Sequence, residues 1–181
     1  MKNLYVIMGV PGSGKDTQAS LLESNNGFKI VRVGQLIREL SKQDKKLNKI
    51  QKKGDLADEV LVNELMSNAL DSQPEDSNIL SDGYPRSLTQ AKKLEEMCMD
   101  KKINLVKVLF LHIDDEEVLR RLNIRARVDD TDETIQNRLN VFRRFTLPVV
   151  EYFENKKLVN KINGTGSVEE IHQRIKKVLQ K

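Results

Sequence analysis

Apolar residues along the chain concentrate in short segments, and longer stretches with helical spacing separate these segments. The first run, residues 4–8, has the length and composition of a strand covered on both faces of a parallel sheet. Four further stretches rich in apolar residues predict strands at 28–33, 77–81, 105–113 and 158–162. Between them, apolar residues recur every 3.6 residues or so and predict helices over 17–23, 87–99 and 114–122. The pattern predicts an α/β fold with a five-stranded parallel sheet that binds ligands at the carboxyl ends of its strands.

Two segments depart from this alternation. More than forty residues between the second and third strands have wholly helical patterning, which predicts a helical insertion at about 32–76. A short charged connection at about 125–131 joins two later helices. The remaining ranges, 1–31, 77–124 and 132–181, then form the core of a single domain.

Composition narrows the class of protein. The 181 residues include 31 lysines and arginines, 27 aspartates and glutamates, and one cysteine, Cys98, which we interpret as a structural thiol. Aromatic residues make up 4% and tryptophan is absent, so base-stacking contacts to nucleic acid are not expected. Neither a signal peptide nor a run of about 20 apolar residues is evident, so we expect a soluble, cytoplasmic protein without membrane contacts.

A phosphate-binding loop follows the first strand, at residues 9–18. Three glycines allow backbone N–H groups to converge on an anion, Lys15 adds a positive charge, and the following helix adds the positive end of its dipole. The usual pattern has a hydroxyl residue directly after the lysine. Here Asp16 takes that place and Thr17 comes one residue later. The loop predicts a P-loop NTPase fold.

Four motifs together resemble the adenylate kinase family. They are the loop G-x-P-G-S-G-K-x-T-Q at 9–18, Gly34-Gln-Leu-Ile-Arg38, Asp82-Gly-Tyr-Pro-Arg86 with Gln90, and Arg127-Val-Asp-Asp130 with Arg138. The similarity spans nearly the whole chain. It implies a monomer that transfers the γ-phosphoryl group of ATP to AMP with Mg²⁺, and it makes 32–76 the AMP-binding insertion and 125–131 a minimal lid.

The resemblance also assigns roles to particular residues. ATP is assigned to Gly12, Ser13, Gly14, Lys15, Asp16, Thr17, Arg121, Arg125 and Gly166. AMP is assigned to Val33, Arg38, Asp55, Leu56, Ala57, Gly83, Tyr84, Pro85, Arg86, Gln90, Arg127 and Arg138. Catalytic roles fall to Lys15, Arg86, Arg121, Arg127 and Arg138, because phosphoryl transfer needs its negative charge neutralised. Asp82, with Asp16 as a second candidate, would hold Mg²⁺ through water.

Three departures from the family pattern lead to hypotheses. Asp16 stands where glycine is usual and Gln35 where aspartate is usual, so we expect Asp16 to take over part of the Mg²⁺ water shell. Val33 replaces a threonine, so the KM for AMP is expected to be higher, on the order of tenfold if one hydrogen bond is lost. Only Ala126 separates Arg125 from Arg127, so closure over ATP would involve the tip of a helix hairpin.

Other functions remain open from the residues alone. A kinase of UMP, CMP or another small molecule would use the same loop, although Gln90 favours a purine. A nucleotide-sensing switch or an RNA-associated ATP-binding protein is a further alternative, although no Asn-Lys-x-Asp guanine motif is present. We interpret the surplus of four positive charges as cleft arginines, and we interpret Arg120, Arg143, Arg144 and Arg174 as solvated.

Overall fold

One parallel sheet forms the centre of the molecule. The computed structural model describes residues 1–125 and 131–180, without the side chains of residues 51, 119, 123–125 and 132. Its strands are β1 (Asn3–Gly9), β2 (Lys29–Arg32), β3 (Asn78–Asp82), β4 (Asn104–His112) and β5 (Val159–Asn163). They lie in the order β2-β3-β1-β4-β5, and every neighbouring pair is parallel. The five predicted strands and the α/β fold class are therefore confirmed, with ends within one or two residues of prediction.

Helices flank the sheet. They are α1 (Lys15–Asn26), α2 (Val33–Ser41), α3 (Lys45–Lys53), α4 (Glu59–Asp71), α5 (Leu88–Asp100), α6 (Asp115–Arg125), α7 (Asp132–Val141), α8 (Leu147–Asn155) and α9 (Val168–Leu179). Helices α2, α3 and α4 lie between β2 and β3 in the sequence, in the range of the predicted insertion. In the described ranges, no helix has both the length and the apolar character needed to cross a bilayer.

The sheet is buried on both faces, which explains the unbroken apolar runs of its central strands. Because successive side chains of a strand point to opposite faces, Leu4, Val6 and Met8 enter one hydrophobic cluster and Ile7 enters the other. Burial of a leucine or isoleucine contributes about 1.5–3 kcal/mol, so both layers stabilise the sheet.

The strand order indicates at which end of the sheet a ligand would bind. Strand β1 is central and pairs with β3 on one side and with β4 on the other, so the chain order reverses at β1. Ligands of open α/β sheets bind at such a reversal, outside the carboxyl ends of the strands. Ile7 pairs with Asp82, so the loop after β1 and the loop after β3 lie side by side.

A π-helical turn, Phe142–Thr146, joins α7 to α8. Pro148 has no N–H group and therefore cannot donate to the carbonyl group four residues earlier. Leu147 N donates to the carbonyl oxygen of Phe142, five residues back, which is the hydrogen-bond spacing of a π-helix. The turn widens the helix at Phe142 and Thr146, which line a cavity at the carboxyl ends of the strands.

A second group of positive charges lies away from the cleft, whose described lining contains six basic and three acidic residues. Residues 42–53 contain six exposed lysines and one aspartate, and the rest of the chain contains 25 basic and 26 acidic residues. Five of these lysines follow α3 within an arc of about 120° at 3.6 residues per turn. They are Lys45, Lys46, Lys49, Lys52 and Lys53. Within the described part of the chain, their ammonium groups form no ion pair.

Candidate active site

The loop between β1 and α1 has the geometry of a phosphate cradle. Gly14 precedes α1 with φ +85°, a left-handed conformation that favours glycine. Ser13 N donates to Val10 O at 2.9 Å, which closes the turn. The first N–H groups of α1 have no partner within the helix, so they and the positive end of the helix dipole can bind an anion.

Lys15 lies between two carboxylates at the mouth of this loop. Its Nζ atom lies 3.0 Å from Asp82 Oδ1 and also forms an ion pair with Asp16 Oδ1. Asp82 is 6% exposed, and its Oδ1 atom has no aligned hydrogen-bond donor among the described residues. Asp82 therefore depends on the charge of Lys15, beside which its Oδ1 atom is buried.

A cavity of about 710 Å³ opens at this end of the sheet. It brings together most of the residues that the sequence assigns to the site. Those lining it are Gly12, Ser13, Gly14, Lys15, Asp16, Thr17, Arg38, Asp55, Leu56, Ala57, Asp82, Gly83, Tyr84, Pro85, Arg86, Gln90, Arg121 and Arg138. Cavities of this size hold ligands as large as nucleotides.

Two guanidinium groups meet on the insertion side of the cavity. A Cβ atom on Gly34 would lie 3.6 Å from Arg38 Nη1 and 3.7 Å from Arg86 Nη2. Arg86 Nε donates to Gly83 O at 2.9 Å, which fixes the direction of its guanidinium plane. Two like charges this close favour an anion between them, and a bidentate phosphate meets that need.

The pKa of Arg86 reflects its crowded position. Surrounding protein lowers this pKa, although solvent reaches the residue through the open cleft. The carboxylates of Asp82 and Asp16 raise it, and the positive charges of Arg138 and Arg38 lower it. The charges of Asp82, Asp16, Arg138 and Arg38 therefore all act on the Arg86 guanidinium at the cavity.

Arg121 connects α6 with two loops at the carboxyl ends of the strands. Its Nε donates to Glu117 Oε1 at 2.6 Å, its Nη1 to Ser13 O at 3.3 Å, and its Nη2 to Gly164 O at 2.9 Å. Hydrogen bonds from Arg120 and Arg121 lower the pKa of Glu117 to about 2, so this carboxylate stays charged. Arg121 thus ties α6 to the phosphate loop and to the loop after β5.

Gln90 is held by a buried network. The residue is 2% exposed, and its Oε1 accepts from Arg86 N at 2.7 Å, which fixes which way the amide points. Tyr84 Oη lies 3.1 Å from Gln90 O and 2.7 Å from Asn63 Oδ1. Among the described residues, none pairs with the two Nε2 hydrogens or the second lone pair of Oε1, so these groups can contact a ligand.

Two of the assigned residues that the structure describes, Val33 and Gly166, do not line this cavity. Val33 is 0% exposed and packs in the hydrophobic core at the start of α2, so its side chain points away from ligands. Gly166 lines an adjoining depression with Gly12, Gly14 and Thr17. Arg127 and Ala126, with Asp129 and Asp130, lie outside the described residues, and so does the side chain of Arg125.

Some contacts at the site had no signal in the sequence. Thr146 Oγ1, from the π-helical turn, donates to Arg86 O at 3.2 Å. Arg174 was interpreted as solvated, but its Nη1 donates to Asn163 O at 2.9 Å and to Thr165 O. It therefore fixes the loop after β5 through backbone carbonyl groups, which no residue pattern reveals.

The fold and the site define a class of enzyme. A parallel sheet with a phosphate loop after its first strand, facing arginines across one cavity, is the arrangement of P-loop phosphotransferases. A family model described as adenylate kinase matches residues 7–158. The chain belongs to the adenylate kinase family, and its activity is phosphoryl transfer between ATP and AMP.

Curated relatives agree over nearly the whole chain. An adenylate kinase of Thermobifida fusca is 38% identical over 177 residues, which cover 93% of this chain and 94% of the relative. An adenylate kinase of Synechococcus sp. (strain CC9902) is 36% identical, covering 99% of this chain and 100% of the relative. One from Parabacteroides distasonis is 35% identical and covers 96% of each. None of these matches favours a pyrimidine kinase, a switch or an RNA-associated protein.

Proposed function

We propose that the two sides of the cavity divide the substrates, with ATP on the phosphate loop and AMP on the insertion side. The observation that carries this proposal is the shared cavity, in which Lys15 faces the paired guanidinium groups of Arg38 and Arg86. A phosphate oxygen of AMP would attack the γ-phosphorus of ATP, and the bond to the β–γ bridging oxygen would break. The positive groups lower the barrier by neutralising charge where it develops.

On the ATP side, Lys15 would bind the β and γ phosphates, and the backbone N–H groups of residues 12–17 would surround them. Arg121 already contacts the carbonyl oxygens of Ser13 and Gly164, so it would orient this side of the site. Arg125 and Arg127 stay predictions from the family resemblance. Arg138 lines the cavity beside Arg86 and would neutralise the transferring group.

On the AMP side, Arg38 and Arg86 would bind the phosphate together. Gln90 would contact the base, since its free amide hydrogens and its remaining lone pair match an adjacent acceptor and donor, such as adenine N1 and N6. Asp55, Leu56 and Ala57 would contact the base from the loop after α3. Helices α2, α3 and α4 would accordingly form the AMP-binding insertion.

The carboxylates of the site fit a role for Mg²⁺. Mg²⁺ in nucleotide sites is usually bound by one or two carboxylates, phosphate oxygens and waters. Asp82 Oδ1 lacks an aligned donor among the described residues, and Asp16 approaches the same lysine, so two carboxylates face the phosphate position. When bound with ATP, Mg²⁺ would supply charge neutralisation at the phosphates. Asp82 and Asp16 would hold its water ligands.

Replacing Asp16 with glycine is expected to weaken the dependence on Mg²⁺. In the variant, Lys15 loses one of its two carboxylate partners, so ATP without metal should bind more tightly relative to MgATP. We expect the dissociation constant of metal-free ATP, divided by that of MgATP, to fall severalfold in the variant. Calorimetry with and without Mg²⁺ measures both constants.

Glu116→Gln removes one exposed acid on α6 and serves as the control for charge alone. An unchanged Mg²⁺ dependence in Asp16→Gly would show that Asp16 is merely favoured by the helix dipole.

The acceptor specificity tests the proposed function directly. ADP formation from ATP should be fast with AMP and slower with dAMP, GMP, UMP or CMP, as measured in a coupled assay. Equal turnover of UMP would contradict the role of Gln90.

Because one chain forms the whole cavity and Cys98 is a buried free thiol, we also propose a cytoplasmic monomer.

A further inference from the structure

Two carbonyl groups in the last turn of α3 accept hydrogen bonds from side chains of α7. The final carbonyl groups of a helix have no partner within it and need donors from elsewhere. Lys53 O accepts from Asn137 Nδ2 at 2.6 Å, and Lys52 O accepts from Thr134 Oγ1 at 3.3 Å. Two side chains of α7 therefore cap the central helix of the insertion.

Asn137 also reaches the loop that follows α3. Its Nδ2 atom donates to Asp55 Oδ1 at 2.8 Å. An amide nitrogen carries two hydrogens, so Lys53 O and Asp55 Oδ1 together use the full donor capacity of Asn137. Asp55 lines the cavity with Leu56 and Ala57. A single side chain thus joins this loop to the helix that carries Arg138.

The backbone between these two acceptors is closely packed. Gly54 has φ +77°, and a Cβ atom there would lie 3.0 Å from Arg138 Cγ and 3.4 Å from Thr134 O. Glycine therefore allows the loop to approach the aliphatic stem of Arg138. The loop and Arg138 share one contact region, with Asn137 at its edge.

We propose that Asn137 is a positioning residue for AMP binding. It holds residues 54–57 against α7, so that the loop keeps the shape needed at the AMP side of the cavity. This inference rests on the proposed assignment of AMP to the insertion side. Asn137 itself touches neither the phosphates nor the base.

Asn137→Asp tests this role with almost no change in size. A carboxylate cannot donate, and it would face both Lys53 O and the Asp55 carboxylate, so the loop should separate from α7. We expect the KM for AMP to rise on the order of tenfold, while kcat and the KM for ATP stay within about twofold. Steady-state kinetics in which each substrate is varied separately provide this comparison.

Asp55→Asn supplies the rescue. In the Asn137→Asp background it replaces a repelled carboxylate with an amide that donates to the carboxylate introduced on α7. About threefold or more of the lost affinity for AMP should then return. Asp55→Asn is also measured alone as the reference for the double variant, because Asp55 is itself assigned to the AMP site and its new carbonyl oxygen still accepts from Asn137. If Asn137→Asp folds poorly, this complementary double variant carries the test.

Two controls separate the possible failures. Asn140→Asp makes the same change at an exposed position one turn along α7, and it should leave the KM for AMP unchanged. Gln90→Ala tests the AMP site itself. If it raises the KM for AMP but Asn137→Asp behaves like Asn140→Asp, or Asp55→Asn gives no rescue, the role of Asn137 is refuted. If Gln90→Ala and Asn137→Asp both leave the KM for AMP unchanged, the assignment of AMP to the insertion side of the cavity is wrong.

Discussion

Replacement of Lys15 by methionine should lower kcat/KM on the order of 10³-fold. The phosphate loop keeps its backbone N–H groups, but the only side-chain cation that touches both Asp16 and Asp82 in the described residues is lost. Removing one preorganised group that stabilises transition-state charge typically costs about 10²–10³ in rate. The coupled assay with ATP and AMP measures this loss.

The Lys15→Met experiment must distinguish a loss of catalysis from a loss of stability, because the variant leaves the buried carboxylate of Asp82 without its cation. The double variant Lys15→Met with Asp82→Asn removes that stranded charge, so its thermal midpoint should recover while its activity stays low. Lys92→Met makes the same change on the exposed side of α5 and should have full activity. Activity within tenfold of the unmodified enzyme would show that Lys15 does not act on the phosphates.

Replacement of Arg86 by methionine should raise the KM for AMP on the order of 100-fold. A guanidinium bound to phosphate contributes two charge-assisted hydrogen bonds, each with a net value of about 1.5–3 kcal/mol. In the proposed assignment ATP binds on the opposite side of the cavity, so its dissociation constant should remain within about threefold. Kinetics with varied AMP, together with calorimetry for ATP, distinguish the two sides.

The stability of Arg86→Met gives a second readout. Burial lowers the pKa of Arg86, the carboxylates of Asp82 and Asp16 raise it, and the charges of Arg138 and Arg38 lower it. Loss of the guanidinium removes the cost of burial and the repulsion together with the attraction to the two carboxylates and the hydrogen bond to Gly83 O. Because these effects oppose one another, the thermal midpoint should change little. Arg144→Met is the matched control, since Arg144 is exposed and lies over the Phe145 ring. A KM for AMP within threefold of normal would contradict the assignment.

Much of the fold could be predicted because burial on both faces leaves unbroken apolar runs. The ends of the elements were harder. The run at 28–33 includes Val33, but the backbone enters α2 at this residue, and hydrophobicity alone does not distinguish the end of a strand from the start of a helix. Helix α1 begins at Lys15, two residues before the prediction, because the left-handed Gly14 leads directly into it.

The site was predictable where its residues are close in sequence. The spacing of the glycines and Lys15 determines a phosphate loop locally, and Asp82 precedes Arg86 in one short motif. Asn137 and Lys53 are 84 positions apart, and the acceptor is a backbone oxygen that any residue could provide. The same reason hides Arg174, whose acceptors are also carbonyl groups. Side-chain patterns predict where chemistry occurs better than they predict which groups hold it in place.

The lysines of α3 give the molecule an electric dipole. Outside 42–53 the chain carries 25 basic and 26 acidic residues, so the positive end is one helix of the insertion and the remainder is nearly neutral. An anionic surface therefore attracts the protein by this end and turns it before contact, over a range of about 10 Å at 0.1 M salt. The net charge of +4 understates how unevenly the molecule presents its charge.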